Sequence, residues 1–125
     1  MANEGYHEPI EELTDETRDM HKAIVSLMEE LEAIDWYNQR VDSCKDEELK
    51  AILAHNRDEE KEHAAMVLEW IRRRNSDFAE RLKTYLFTDA PITGIEKAVE
   101  QGGGEGGGGE APGTRTTVGS LKGRR

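Results

Sequence analysis

Three polar side chains fall where the pattern calls for apolar ones. Ile24, Leu27, Leu31, Ile34 and Val41 recur at three- and four-residue steps, the period of a helix. Glu30 lies inside that stripe, three residues after Leu27 and four before Ile34. A second stripe runs through Leu49, Ile52, Leu53, Asn56, Glu60, His63, Val67, Trp70 and Ile71. Glu60 and His63 interrupt it three residues apart, and so share one face. A carboxylate on an apolar face is costly unless it is paired or bound to a cation. Two carboxylates and an imidazole converging there suit a hard-to-borderline metal such as iron. The plain alternative is a solvated charged face, which is the reading for Asp58, Glu62 and Glu69, and a Glu-Xaa-Xaa-His pair also arises by chance in an acidic helix. The stripe positions, the matching Glu30 and the 30-residue separation suited to facing helices favour a metal. His7, His21 and His55 have no such setting and read as surface or partly buried histidines.

These residues need long helices to position them. No glycine or proline lies between Ile10 and Ala90. Thr14 is an N-cap for a first helix over 14–41, with Asp15 and Glu16 at the positive end of its dipole. Asp42-Ser43-Cys44-Lys45-Asp46 is a short polar break, with Ser43 or Asp46 available to cap a second helix over 46–74. Arg72-Arg73-Arg74 complements the negative end of that helix, and Asn75 is a stop. Ser76 can cap a shorter helix over 77–87, which Thr88-Asp89-Ala90-Pro91 breaks before a last weak helix over 91–100. The fold class is therefore all-α: an antiparallel helical hairpin followed by short C-terminal helices.

A hairpin covers only half of a four-helix bundle, so two copies are expected to dimerise into one. Ligand counting leads to the same place. Di-iron carboxylate bundles draw a Glu from each of two helices and a Glu-Xaa-Xaa-His from each of two others. Glu30 and the segment Glu60-Lys61-Glu62-His63 supply half of that set. A two-fold partner would supply the rest.

Length and composition bound the reading. The chain has 125 residues, one domain's worth, with a formal net charge of −10. No apolar run approaches the ~18 residues of a membrane span, and neither a signal peptide nor membrane association is expected. The single cysteine, Cys44, excludes an internal disulfide framework and fits a reducing cytoplasm. Strong acidity argues against nucleic acid and for cations. The charge is unevenly spread, with residues 1–101 at net −12 and residues 114–125 at net +4. Between them, residues 102–113 form a glycine-rich linker with a reach of roughly 20 Å. The expected layout is a helical domain over 1–101, this linker and a short basic peptide over 114–125, together a disordered tail. Val118 and Leu121 suit a shallow apolar groove; the alternative is a solubilising tail.

A second constellation is Glu29, Glu32 and Trp36, on a different face of the first helix from Glu30. With Val25 and Met28 it forms either another subunit interface or an outer cation site feeding the inner one. Tyr37, within two turns of Glu30, either contacts the site or is a core aromatic.

Two long segments carry a family resemblance. Residues 28–37, Met-Glu-Glu-Leu-Glu-Ala-Ile-Asp-Trp-Tyr, and residues 54–66, Ala-His-Asn-Arg-Asp-Glu-Glu-Lys-Glu-His-Ala-Ala-Met, resemble the encapsulated ferritins, a likeness spanning roughly residues 7–95. Thr117-Val118-Gly119-Ser120-Leu121-Lys122-Gly123 also resembles the peptides that load cargo into encapsulin shells. The resemblance implies a ferritin-like four-helix bundle and an iron oxidase whose site forms between two subunits. Glu30, Glu60 and His63 would be its di-iron ligands, with Tyr37 close by. Glu29, Glu32 and Trp36 would form the outer site, holding calcium or another divalent cation. The expected assembly is a ring-shaped decamer of five dimers in the lumen of a cytoplasmic encapsulin nanocompartment, which would hold the iron mineral. The reading from a different class is a non-catalytic helical cargo or adaptor stabilised by metal. A rubrerythrin-like oxygen or peroxide reductase is disfavoured by the lack of a Cys-rich electron-transfer module.

Overall fold

A computed structural model describes residues 5–102. The linker and terminal peptide expected over 102–125 lie outside the described residues except for Gly102. The described residues form a single 3-10 turn, Ile10–Glu12, and four α-helices: α1 (Asp15–Ser43), α2 (Glu47–Arg74), α3 (Ser76–Tyr85) and α4 (Ile92–Gln101). The all-helical expectation holds, and no strand occurs among the described residues. None of these helices is long and apolar enough to cross a membrane.

The chain divides after Asn75 into two compact units. In the first, the 3-10 turn is tied to α1 by Arg18, whose Nη2 donates to the Ile10 carbonyl at 2.6 Å. The Tyr6 ring lies 4.3 Å from that of His21. Thr14 caps α1 as expected, its side chain accepting from the Thr17 N–H at 3.1 Å. Of the two candidate caps for α2 the structure uses Asp46, whose Oδ2 accepts from the Leu49 N–H at 2.8 Å. Ser43 instead ends α1, which runs two residues past the expected Val41. Asn75 is the C-cap of α2, its N–H returning to the Ile71 carbonyl at 3.1 Å.

With only three residues between them, α1 and α2 run antiparallel. Their register is visible in two cross-hairpin pairs. Nearer the loop, Arg57 Nη1 donates to Asn38 Oδ1 at 2.9 Å. Farther from it, His63 reaches Glu30. Moving towards the N-terminus on α1 thus moves towards the C-terminus on α2. Arg57 is also held by Asp58 (Nε to Oδ1, 3.0 Å), and Lys61 lies 3.4 Å from the same oxygen. At about 1.5 Å per residue each helix spans roughly 40 Å.

This hairpin has little interior. Among the described residues only Ala64 and Ile71 are buried apolar side chains. Leu27, Ile34, Leu53 and Val67 are half-buried, whereas Leu31, Ile52 and Met66 remain 53%, 52% and 58% exposed.

In the second unit α3 and α4 contact each other. Ser76 is the first residue of α3 rather than its cap, and the helix stops at Tyr85, two residues before the expected end. Thr88 explains the early stop: its Oγ1 donates to the Tyr85 carbonyl at 2.7 Å, and Phe87 adopts a left-handed φ of 63°. A left-handed residue cannot continue a right-handed helix. Pro91 opens α4 with its fixed φ of −57°, and its carbonyl accepts the Ile95 N–H.

Candidate metal centre

Glu30 comes from the middle of α1, and Glu60 and His63 from the middle of α2. Neither helix is interrupted there, so the three side chains stand on rigid backbone. One ligand atom from each lies within 4.8 Å of the others, the only such group of three or more potential ligands among the described residues. His63 Nδ1 is 3.2 Å from Glu60 Oε1, a hydrogen bond, and 3.8 Å from Glu30 Oε1. All three side chains are partly exposed, so the cluster is open on one side.

Its electrostatics are those of acids crowded together. Glu30 shares a hydrogen bond with Glu60, which holds a proton on Glu30 and pushes its pKa up; desolvation and the negative charges of Glu60 and Glu29 add to the rise. The same hydrogen bond draws the Glu60 pKa down, and bonding to His63 assists. His63 is raised, first by its bond to Glu60, then by the charges of Glu60, Glu30 and Glu59. The crowding therefore favours a proton on Glu30 and another on the imidazole more than either group would by itself. A divalent cation would replace both, satisfying two oxygen donors and one nitrogen donor in a single contact. That donor set suits Fe(II) and other borderline divalent ions.

The remaining site candidates are distributed as follows. Tyr37 is half-buried on α1, with the Arg40 guanidinium carbon 5.3 Å from its ring centre, and is not one of the three converging ligands. Glu29 is exposed, Glu32 is half-buried and Trp36 is 49% exposed. Neither acid joins a group of three potential ligands among the described residues. Sequence reasoning passed over Glu59. Its Oε1 is 3.9 Å from His63 Nε2 and its Oε2 is 3.8 Å from His55 Nε2. The spacing of His55, Glu59 and His63 at successive four-residue steps was the available signal.

Residues 5–89 match the EncFtn-like family. This chain belongs to that family. The EncFtn-like match bears out the resemblance to encapsulated ferritins and takes in the whole of α1, α2 and α3. An encapsulated ferritin-like protein of Rhodospirillum rubrum is 62% identical over 128 residues, covering 98% of this chain and 91% of the relative. An encapsulin nanocompartment cargo protein of Myxococcus xanthus is 39% identical over 99 residues, covering 74% of this chain and 76% of the relative. A protein of Nitrosomonas europaea with a solved crystal structure is similar in fold and sequence, with a TM-score of 0.69 and 74% identity. That likeness covers 70% of this EncFtn-like chain and 97% of the other.

Proposed function

We propose that this protein is a ferroxidase: it oxidises Fe(II) to Fe(III) with dioxygen at a di-iron site completed by a second copy of the chain. The observation that carries the reading is the convergence of Glu30, Glu60 and His63 within 4.8 Å, half the ligand set of a di-iron carboxylate bundle. Packing supports the same stoichiometry. A hairpin with two buried apolar residues leaves its apolar faces for another chain to cover. At about 100° per residue, exposed Ile52 and Met66 lie within about 60° of His63 around α2. A partner seated on them would meet the open side of the cluster.

Iron is the substrate here. Two Fe(II) ions each lose one electron, and the pair of electrons takes one O2 to the level of hydrogen peroxide with two protons. Paired ions avoid a solitary one-electron step. Glu30 and Glu60 bind as carboxylates and favour the more highly charged product electrostatically. His63 binds only when its ligating nitrogen is unprotonated. Tyr37 stands within two turns of Glu30 as a neighbour of the site. Glu29, Glu32 and Trp36 would form an outer site, with calcium or another divalent cation as occupant, and the acidic body would raise the local Fe(II) concentration.

The assembly in this reading is a dimer, five of which close into a decameric ring. The ring would be carried in the lumen of a cytoplasmic encapsulin nanocompartment and would deliver iron for storage there. Supporting this are the names of the Rhodospirillum rubrum and Myxococcus xanthus relatives. The former likeness spans 98% of this chain, and so takes in the basic peptide over 114–125 that would dock on the shell.

The test adds Fe(II) to the protein without oxygen, admits air and follows near-UV absorbance. Oxidation well above the buffer rate, lost in E30A, E60A and H63A, is expected. A rate equal to buffer would leave a non-catalytic metal-stabilised cargo protein. Co-expression with a shell protein, with and without residues 114–125, tests the address: equal loading of both would sink it.

A further inference from the structure

The imidazole of His63 has two faces, and only one is used by the ligand cluster. Nδ1 points to Glu60 and Glu30 at 3.2 and 3.8 Å. Nε2 points the other way, with Glu59 Oε1 3.9 Å off. That distance exceeds a direct hydrogen bond, but rotation about the flexible Glu59 side chain or one bridging water closes it. Glu59 is itself braced, its other oxygen lying 3.8 Å from His55 Nε2 one turn earlier on α2. The carboxylate thus stands between two imidazoles on a continuous helix.

A ring that ligates through Nδ1 must keep its remaining proton on Nε2. An acceptor facing Nε2 secures that tautomer, fixes the ring plane and raises the basicity of Nδ1. We propose that Glu59 is a positioning residue for the metal centre, accepting the Nε2–H of His63 so that Nδ1 is presented to the ion. This rests on the reading of Glu30, Glu60 and His63 as a metal site. Glu59 acts through His63 and does not itself touch the ion, and His55 limits how far its carboxylate can swing away.

The experiment uses the full-length protein and Co(II), whose visible absorption reports binding and whose paramagnetism shifts the ring protons of a ligating histidine. Wild type should show a solvent-exchangeable, strongly shifted imidazole N–H that persists because Glu59 holds it. E59A should bind Co(II) about ten- to a hundredfold more weakly and lose that signal to fast exchange. E59Q keeps an acceptor oxygen without the charge, and should recover most of the affinity and the signal. Wild-type affinity and signal in E59A would overturn the proposal. So would an E59Q as weak as E59A, because the effect would then be charge alone. E30A and E60A are measured alongside: Co(II) binding indifferent to both would instead remove the underlying site, and this role with it.

Discussion

Glu30 and Glu69 are both helical carboxylates in a crowd of charges, and they face opposite situations. Glu69 is gripped by Arg72 through two hydrogen bonds and by Arg73 through a third, each at 2.7 Å, and these two guanidiniums pull its pKa down to about 2. Its neighbours come from the last turn of the same helix, with Arg74 stacked over Trp70 beside them at 4.4 Å. The one acid of that group has two guanidiniums on it. Glu30 instead faces another acid, Glu60, across a hydrogen bond, and its pKa moves up. The nearest cationic candidate, His63, has its pKa raised by its acidic neighbours and serves two acids at once. Counting acids does not separate these regions; counting the positive charges that belong to each acid does. An acid with its own arginines is finished as it stands, whereas acids crowded against each other are placed to receive a cation.

The sharpest way to break this contrast is substitution on each side of it. E60A or H63A should reduce Fe(II) oxidation to the rate of iron in buffer. E69A, which removes an exposed acid of equal charge on the same helix, should leave the rate within a factor of about two, as expected of surface substitutions. Stopped-flow absorbance on all three variants decides it. A loss in E69A comparable to that in E60A would mean that general acidity, not the cluster, drives the reaction.

Assembly should give the next largest effect. Ile52 is 52% exposed in the isolated chain and lies within about 20° of His63 around α2. I52E should shift the oligomer to smaller species in sedimentation velocity and lower oxidation in step, since half a site holds neither iron well. Removing metal from wild type should loosen the same assembly. A monomeric I52E with full activity would refute the half-site argument.

Acid should act on the two regions with different signs. The pKa of His63 is raised above the ordinary 6.5, so its contribution to the stability of the metal-free protein is complete below that value and fades as pH rises through the raised one. Metal binding requires the neutral ring and so strengthens over the same window. Co(II) affinity should therefore climb as pH rises above 6.5 through the raised His63 pKa, while metal-free thermal stability declines. Glu69 is depressed from 4.5 to about 2, so its contribution is intact above 4.5 and lost only as pH falls towards 2. Neutral-range affinity that is flat with pH would remove protonated His63 from the account.

Much of this was legible in the sequence because long helices advertise themselves. Thr14 and Asp46 have short side-chain acceptors that satisfy free N–H groups, and α1 and α2 begin right after them. Glu30, Glu60 and His63 stood out as polar residues on apolar faces, a contradiction that only a partner or cation resolves. Local chemistry decided the rest. Ser76 could equally cap a helix or enter it, and the α2–α3 junction leaves it inside α3. The end of α3 depends on a Thr88 hydroxyl reaching back three residues and on Phe87 turning left-handed, which no apolar period encodes. Glu59 was not singled out in the sequence, because its place opposite His63 Nε2 needed ring orientation as well as spacing.

The smallest effect expected is at the start of the hairpin, far along α1 from the cluster. Thr14 accepts the Thr17 N–H at 3.1 Å, and its own Oγ1 donates to the Thr17 Oγ1, also at 3.1 Å. T14A removes the acceptor and leaves an N–H of the first turn to water, at a cost of about 1 kcal/mol. In a domain of this size that lowers the midpoint of thermal unfolding by roughly 5 °C, measured at fixed protein concentration because the midpoint of any oligomer depends on it. Oxidation at room temperature should be unchanged, because Glu30 stands four turns inside the helix, where fraying at the first turn does not reach. A large loss of oxidation in T14A would show instead that the cluster depends on the whole length of α1. The ligands and the helix ends would then be one cooperative unit, and the division between a self-satisfied helix terminus and a cation-seeking middle would not survive.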